Sequence, residues 1–175
     1  MIVNEKGHAV RIDYRSVFPH AVRAMSGLQA AVQESSLEPE LLELVKMRAS
    51  QLNGCAYCLD MHSKDARARG EQEQRLYLLS AWRDAPFYTD RERTAIGWCE
   101  ALTLIASSGA PDTTFDELAL QFDEEEIVAL TLAIVAINGW NRFAIGLRSP
   151  VGHYTSPHDA EHATVNEPQA SIDGH

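Results

Sequence analysis

Between residues 127 and 137 the chain is apolar at every position except Thr131. A helix built on such a run has no polar face to turn to water, so it must be covered by other elements or by another copy of the chain. Asp123-x-x-Glu126 directly ahead of it has the form of a capping box, and the acidic residues there suit the positive end of a helix. The pattern predicts a helix over residues 124–147 with the rest of the chain arranged around it. The run itself is too short to span a bilayer and reads as core. Asn138, Asn141 and Arg142 interrupt its second half beside Trp140 and Phe143. Buried amides and guanidinium groups need partners, and these three are read as helix or subunit packing contacts, not as catalysts.

The remaining text is also helical in period. Phe18, Val22, Met25, Leu28 and Val32 recur three and four apart and predict a helix over residues 16–34. Pro39, favoured at a first helical position, opens the next, with Leu41, Leu44, Val45 and Leu52 on one stripe and Gly54 placed to stop it. Another starts near Cys55 and reaches Arg69, where Gly70 ends it. Residues 71–82 read as a short helix with Leu76, Leu79 and Trp82 inward, closed by Arg83-Asp84-Ala85-Pro86. Thr89-x-x-Glu92 is a further capping box and opens a helix over residues 90–106, whose apolar face carries Ile96, Trp98, Cys99 and Leu102. A loop and a short amphipathic segment over residues 113–122 precede the long helix. The expected fold is all-α: one helical bundle of roughly six to seven helices over residues 1–150, with residues 1–15 an irregular arm. Residues 151–175, poor in large apolar side chains, form a polar, His-containing tail that is disordered or lies as an arm on a neighbouring subunit. His158 and His162 in that tail, four apart, are read as solvated and not as a metal pair, and His20 as a surface residue.

A length of 175 residues suits one domain with a real core. The formal charge of −10 argues against a nucleic-acid backbone or an anionic membrane as partner. No apolar stretch follows Met1, which speaks against a secretory signal and for a cytoplasmic protein. Three cysteines are an odd number for a disulfide framework, and in a reducing compartment a Cys-x-x-Cys is catalytic or metal-binding more often than structural. Cys99 has no partner at such spacing and reads as plain core. No Gly-rich phosphate loop or Gly-x-Ser-x-Gly elbow is present, and no cofactor is expected.

The chemistry concentrates in residues 43–70, above all in Cys55-Ala56-Tyr57-Cys58 and His62. The cysteine pair falls at a helix N-terminus, where unpaired N–H groups and the macrodipole favour a thiolate. An ordinary thiol of pKa near 8.5 is only about 3% ionised at pH 7, and lowering that pKa by two units needs roughly 2.7 kcal/mol. An exposed helix terminus supplies about 0.3–1 kcal/mol. His62, one turn beyond Cys58 on the same face, is placed to supply the rest, as a base for the thiol proton or as an imidazolium beside the thiolate. Glu43 is the candidate to orient that imidazole, across an antiparallel turn at Asn53-Gly54. Tyr57 is a possible hydrogen-bond donor to the same site.

A glutamate twelve residues before Cys-x-x-Cys, with a histidine four after the second cysteine, resembles the signature of the alkylhydroperoxidase D-like proteins of the carboxymuconolactone decarboxylase superfamily. The stretches KMRASQLNGCAYCLDMHSKDARARGE, EQRLYLLSAWRDAPFYTDRERTAIGW and EEEIVALTLAIVAINGWNRFAIGLR extend the resemblance over residues 10–150. It implies an all-helical fold, a homo-oligomer (a trimer, or a hexamer built from dimers), and thiol-based reduction of organic hydroperoxides. It also implies Glu43, Cys55, Cys58 and His62 as proton relay and redox pair, and a thiol or dithiol protein as reductant, with a peroxiredoxin or a lipoyl-bearing protein as candidates. The chain departs from the best-known members at Tyr57, where they carry histidine. The lactone decarboxylase branch lacks the redox pair that this chain has.

Two rivals to peroxide reduction remain open at this level. One is a disulfide-exchange relay to a peroxiredoxin with little peroxidase activity of its own. The other is a metal site made of Cys55, Cys58, His62 and Glu43, against which stands the crowding of its soft ligands into two turns of one helix; inert structural cysteines are the remaining reading. Position at the helix tip favours Cys55 as the attacking thiol. The spacing to His62 and the resemblance favour Cys58, which is taken as the peroxide-reactive sulfur, with Cys55 as its partner and the one that exchanges with a donor.

Overall fold

The Asp123 cap and the helix behind it form as the sequence predicts. The Glu126 N–H donates to Asp123 Oδ1 at 2.9 Å, and the Asp123 N–H returns the bond to Glu126 Oε2 at 3.1 Å. The helix then runs unbroken over Glu124–Leu147. The computed structural model describes residues 10–158, and all regular structure among them is helical. In chain order the helices are α1 (Tyr14–Val17), α2 (Pro19–Gln33), α3 (Pro39–Asn53), α4 (Ala56–Ala68) and α5 (Glu73–Leu78). A 3-10 turn (Leu79–Ala81) continues α5, and α6 (Asp90–Thr103), α7 (Ile105–Ser108), α8 (Asp112–Ala119) and α9 (Glu124–Leu147) follow.

Each of the seven segments expected from the periodicity contains a helix. The number among the described residues rises to nine because α1 and α7 are separate four-residue helices. The split at α1 has a local cause in Pro19. Proline cannot continue a preceding helix and drives the residue before it out of the α region, and Phe18 sits at φ −139° and ψ 72°. At the other split Leu104, at φ −102° and ψ 27°, ends α6 three residues before the expected boundary.

Helix α3 is the hub, with α4, α6 and α9 packed around it and α2 laid on α9. Its Leu44 and Val45 are fully buried and face different layers. Val45 joins Cys99, Leu118, Leu130 and Ile134 toward α6, α8 and α9, and Leu44 joins Leu79, Trp82 and Ile96 on the other side. Leu44→Ala should therefore cost about 2–5 kcal/mol, read as a lowered urea midpoint with an unchanged slope. By length and composition α9 would suffice to cross a bilayer, which the 127–137 run alone did not suggest. Here it packs with one face on α3 and α2, with Leu130, Ile134, Ile137 and Asn141 buried and an outer stripe of Val128 and Val135 left exposed in the single chain.

Residues 150–158 lie along α4 of their own chain. The Gly152 N–H donates to Asp60 Oδ2 at 3.2 Å and Lys64 Nζ donates to the Tyr154 carbonyl at 2.8 Å. Most of the arm expected at the N-terminus and the rest of the tail, including His162, fall outside the described residues.

Candidate active site

Two tight pieces of backbone place the cysteines. Gly54 adopts φ +68° at the end of α3, the left-handed conformation that costs glycine no Cβ clash. The reversal that follows sets Cys55 as the N-cap of α4, with φ −86° and ψ 93°. A serine or aspartate is usual there; here the Cys55 sulfur takes the cap's part and accepts the Cys58 N–H at 3.4 Å. Both cysteines are reduced and 1% exposed. Their side chains are hydrogen-bonded to each other, and that bond, with the N–H groups of Cys58 and Tyr57 and the Asn141 amide, outweighs burial and lowers the Cys55 pKa to about 7. The same contact pushes Cys58 well above an ordinary thiol, because its proton is held against the neighbouring sulfur and the site is desolvated. At rest the charge belongs on Cys55 and the remaining proton on Cys58.

His62 and Glu43 meet across the α3–α4 turn. His62 Nδ1 lies 2.8 Å from Glu43 Oε2, and Lys46 Nζ donates to Glu43 Oε1, also at 2.8 Å. Burial opposes ionisation of this carboxyl, but the His62 bond and charge and the Lys46 ammonium overcome it and hold Glu43 at about 2. An ionised carboxylate only accepts hydrogen bonds. The proton of the neutral ring is therefore on Nδ1, and Nε2 is the free, basic nitrogen.

A cavity of about 170 Å³ opens between α2, α3, α4 and α9. Cys58, His62 and Tyr57 form its reactive side and Met61, Ile137 and Trp140 part of its apolar wall; Cys55 is not part of its lining. Tyr57 also lines a neighbouring pocket with Ile12 and Pro150. Of the five residues singled out in the sequence, Tyr57, Cys58 and His62 meet at this cavity, Glu43 joins them through His62 and Cys55 through Cys58, and the two sulfurs face different surroundings.

The zinc alternative is not assembled. Among the described residues the cluster of metal-capable groups is Glu43, His62 and Asp65, not the cysteines with His62, because the His62 ring turns toward α3. Asp65 in turn accepts from Tyr154 Oη at 2.8 Å and Ser156 Oγ at 2.7 Å, so the segment after α9 closes over the relay side of α4. Cys99 is fully buried with its S–H on the Val45 carbonyl at 3.4 Å, and burial pushes its pKa up to about 12, as a core thiol should be. His20 is exposed beside Arg23.

Sequence reasoning missed two groups. Asp65 lies three residues after His62, on the same helical face, and that spacing was the available signal. Asn141, read as a packing contact, is fully buried, and its amide helps to lower the pKa of both thiols. It also donates to Ser50 Oγ at 3.1 Å and accepts from Asn53 Nδ2 at 2.8 Å. An isolated polar residue on an apolar helix was its only mark in the sequence.

Residues 18–101 match the sequence profile of the Carboxymuconolactone decarboxylase family. The chain is 41% identical over 137 residues to the uncharacterized protein YdfG of Bacillus subtilis (strain 168), a match covering 78% of this chain and 93% of that one. Among solved structures, a protein of unknown function from Agrobacterium tumefaciens, suggested to be the antioxidant defence protein AhpD, aligns with a TM-score of 0.80. It is 47% identical over 83% of this chain and 100% of that one. The apo debrominase Bmp8, 23% identical, aligns with a TM-score of 0.69 over 77% of this chain and 73% of its own, and shares the fold alone.

Proposed function

The chain belongs to the carboxymuconolactone decarboxylase family, and from that premise we propose that it is an antioxidant thiol oxidoreductase, reducing organic hydroperoxides by cycling Cys55 and Cys58 between dithiol and disulfide. The observation that carries this reading is the placement of the pair: Cys58 faces the cavity, and Cys55 sits behind it at the helix tip, its sulfur accepting the Cys58 N–H.

The cycle begins with a proton shift along the bond between the two sulfurs, which moves the charge from Cys55 to Cys58. The Cys58 thiolate attacks the distal peroxide oxygen; the S–O bond forms, the O–O bond breaks, and an alkoxide leaves. That alkoxide takes the proton now on Cys55, relayed by His62 Nε2, while Glu43 holds the ring through Nδ1 and stabilises it when charged. The restored Cys55 thiolate then attacks the Cys58 sulfenic acid, forming the disulfide and expelling hydroxide, which takes a proton from solvent to become water. One hydroperoxide is reduced by two electrons to an alcohol and water, and two thiols are oxidised. A thiol or dithiol protein returns the pair to the reduced state by exchange, and Cys55, at the α3–α4 turn, is the sulfur that reacts with it.

The test is single-turnover stopped flow of the reduced protein with cumene hydroperoxide, with and without an oxidised peroxiredoxin. Rapid loss of two thiols per peroxide, with a rate that rises with pH and levels off above about 7 as Cys55 ionises, is the expected result. Oxidation only in the presence of the peroxiredoxin would make the protein an exchange relay. Loss of no thiols in either case would reject redox chemistry at this site.

A further inference from the structure

The cavity in front of Cys58 has a charge that runs against the composition. The chain carries 25 Asp and Glu against 15 Lys and Arg, yet Arg15 and Lys46 line this cavity and, among the described residues, no aspartate or glutamate does. Lys46 is already paired, its ammonium donating to Glu43 Oε1 at 2.8 Å. Arg15 is not: among the described residues no carboxylate pairs with its guanidinium, which rests 5.5 Å from the centroid of the Tyr14 ring. Tyr14 is itself buried against Phe143 of α9, ring centroids 5.1 Å apart, and so pins α1 where it presents Arg15 to the cavity. The cavity is also graded in depth. Cys58 and His62 are buried and form its inner end, while Arg15, Ser26 and Gln33 are exposed and form its rim. Between them lies the apolar wall, in which the Trp140 ring is held by Nε1 donating to Gln29 Oε1 at 3.1 Å. Its volume of about 170 Å³ is close to that of a dry apolar cavity that takes up benzene, roughly 150 Å³. There is room for one ring or a short branched alkyl group, and not for a long acyl chain.

We propose that the substrate is a carboxylated organic hydroperoxide about one ring in size. Its hydroperoxyl group enters first and meets Cys58, its apolar body lies on Ile137 and Trp140, and its carboxylate stays at the rim on Arg15. This deepens the proposed peroxide chemistry and rests on it for the reacting group, but not for the anion. The orientation follows from charge. The reacting sulfur is a thiolate, so a carboxylate beside it would be repelled, whereas a hydroperoxyl group is uncharged at neutral pH. Arginine suits the rim, because its planar fork takes a carboxylate through two parallel hydrogen bonds and stays charged throughout the working pH range. Ser26 and Gln33 share one face of α2 with Gln29, and they add neutral hydrogen-bonding groups beside the guanidinium.

The test compares para-isopropylbenzoate with para-isopropylbenzyl alcohol, the same body without the charge, as ligands of the reduced protein in a calorimeter. No peroxide is needed. The benzoate should bind about tenfold to a hundredfold more tightly, the worth of a hydrogen-bonded charge. In Arg15→Gln the two ligands should bind alike, and Arg15→Lys should keep part of the preference; a packing role for Arg15 would move both ligands together. With the matching peroxides, para-carboxycumene hydroperoxide should exceed cumene hydroperoxide in kcat/KM by a similar factor. Linoleic acid hydroperoxide, an anion too long for the cavity, should fall below the carboxylated arene. Equal binding of benzoate and alcohol to the natural protein, or a preference that survives in Arg15→Gln, would overturn the anion site. Linoleic acid hydroperoxide matching the carboxylated arene would overturn the limit on size. If the benzoate is preferred through Arg15 and no peroxide is reduced, the proposed function fails and the anion site stands. If cumene hydroperoxide is reduced with no preference for charge, the proposed function stands and this assignment fails.

Discussion

Cys58→Ser should abolish peroxide consumption, by at least about 10³-fold, and Cys55→Ser should leave a single turnover intact. The asymmetry follows from what each sulfur faces. Cys58 lines the cavity that a hydroperoxide would enter, and Cys55 does not. A serine hydroxyl is not ionised near neutral pH and is a poor nucleophile toward peroxide oxygen, so replacing the cavity-facing sulfur removes the reaction itself. Replacing Cys55 removes the second step. The Cys58 sulfenic acid should then accumulate, gaining one oxygen atom by mass and trapping with dimedone, and no disulfide should form. Cys55→Ser also removes the sulfur that carries the resting charge and caps α4, so its single attack should be slower than in the natural protein and its pH dependence shifted upward. The opposite pattern, a trapped sulfenic acid on Cys55 in Cys58→Ser, would reverse the two roles and show that the cavity is not the route of entry.

The second large effect is on stability in acid. Glu43 has its pKa lowered from 4.5 to about 2 in the folded protein. A carboxyl held below its unfolded value stabilises the fold at pH above the unfolded pKa, and that contribution disappears as pH falls from about 4.5 toward about 2. This fall from 4.5 to about 2 corresponds to about 3 kcal/mol, and with Glu43 only 6% exposed little of it is lost to solvent screening. Urea unfolding at a series of pH values should show the natural protein losing about 3 kcal/mol more across this window than Glu43→Gln, which has no carboxyl to titrate. Other acids contribute equally to both proteins and cancel. Parallel curves would mean that the His62–Glu43 bond carries no charge in solution. At neutral pH, Glu43→Gln should already be the less stable of the two, because a buried imidazole and the Lys46 ammonium lose their anionic partner.

Much of the fold was legible because helices are local objects. The cap at Thr89 needs only Glu92, the cap at Asp123 only Glu126, and Gly54 needs only its own left-handed backbone. Each is decided within a turn, so each can be read from a window of a few residues. The failures were local as well. Pro19 inside a predicted helix was a stop signal that the apolar spacing around it masked, and Leu104 ends α6 with no proline or glycine to announce it.

The spacing of Cys55, Cys58 and His62 was determined by the sequence itself, because residues three, four and seven apart on one helix share a face wherever that helix goes. Tertiary structure alone decided which sulfur meets the cavity, which nitrogen of His62 is free, and that Asn141 is a neighbour of the thiols and not of another subunit. Those outcomes depend on how α3, α4 and α9 lie against one another, over separations of 19 residues for Glu43 and His62 and 91 for Ser50 and Asn141. Helical periodicity carries no information about contacts at that range; close packing of the whole core sets them, and a buried amide in an apolar helix reveals its partner only when that core is built.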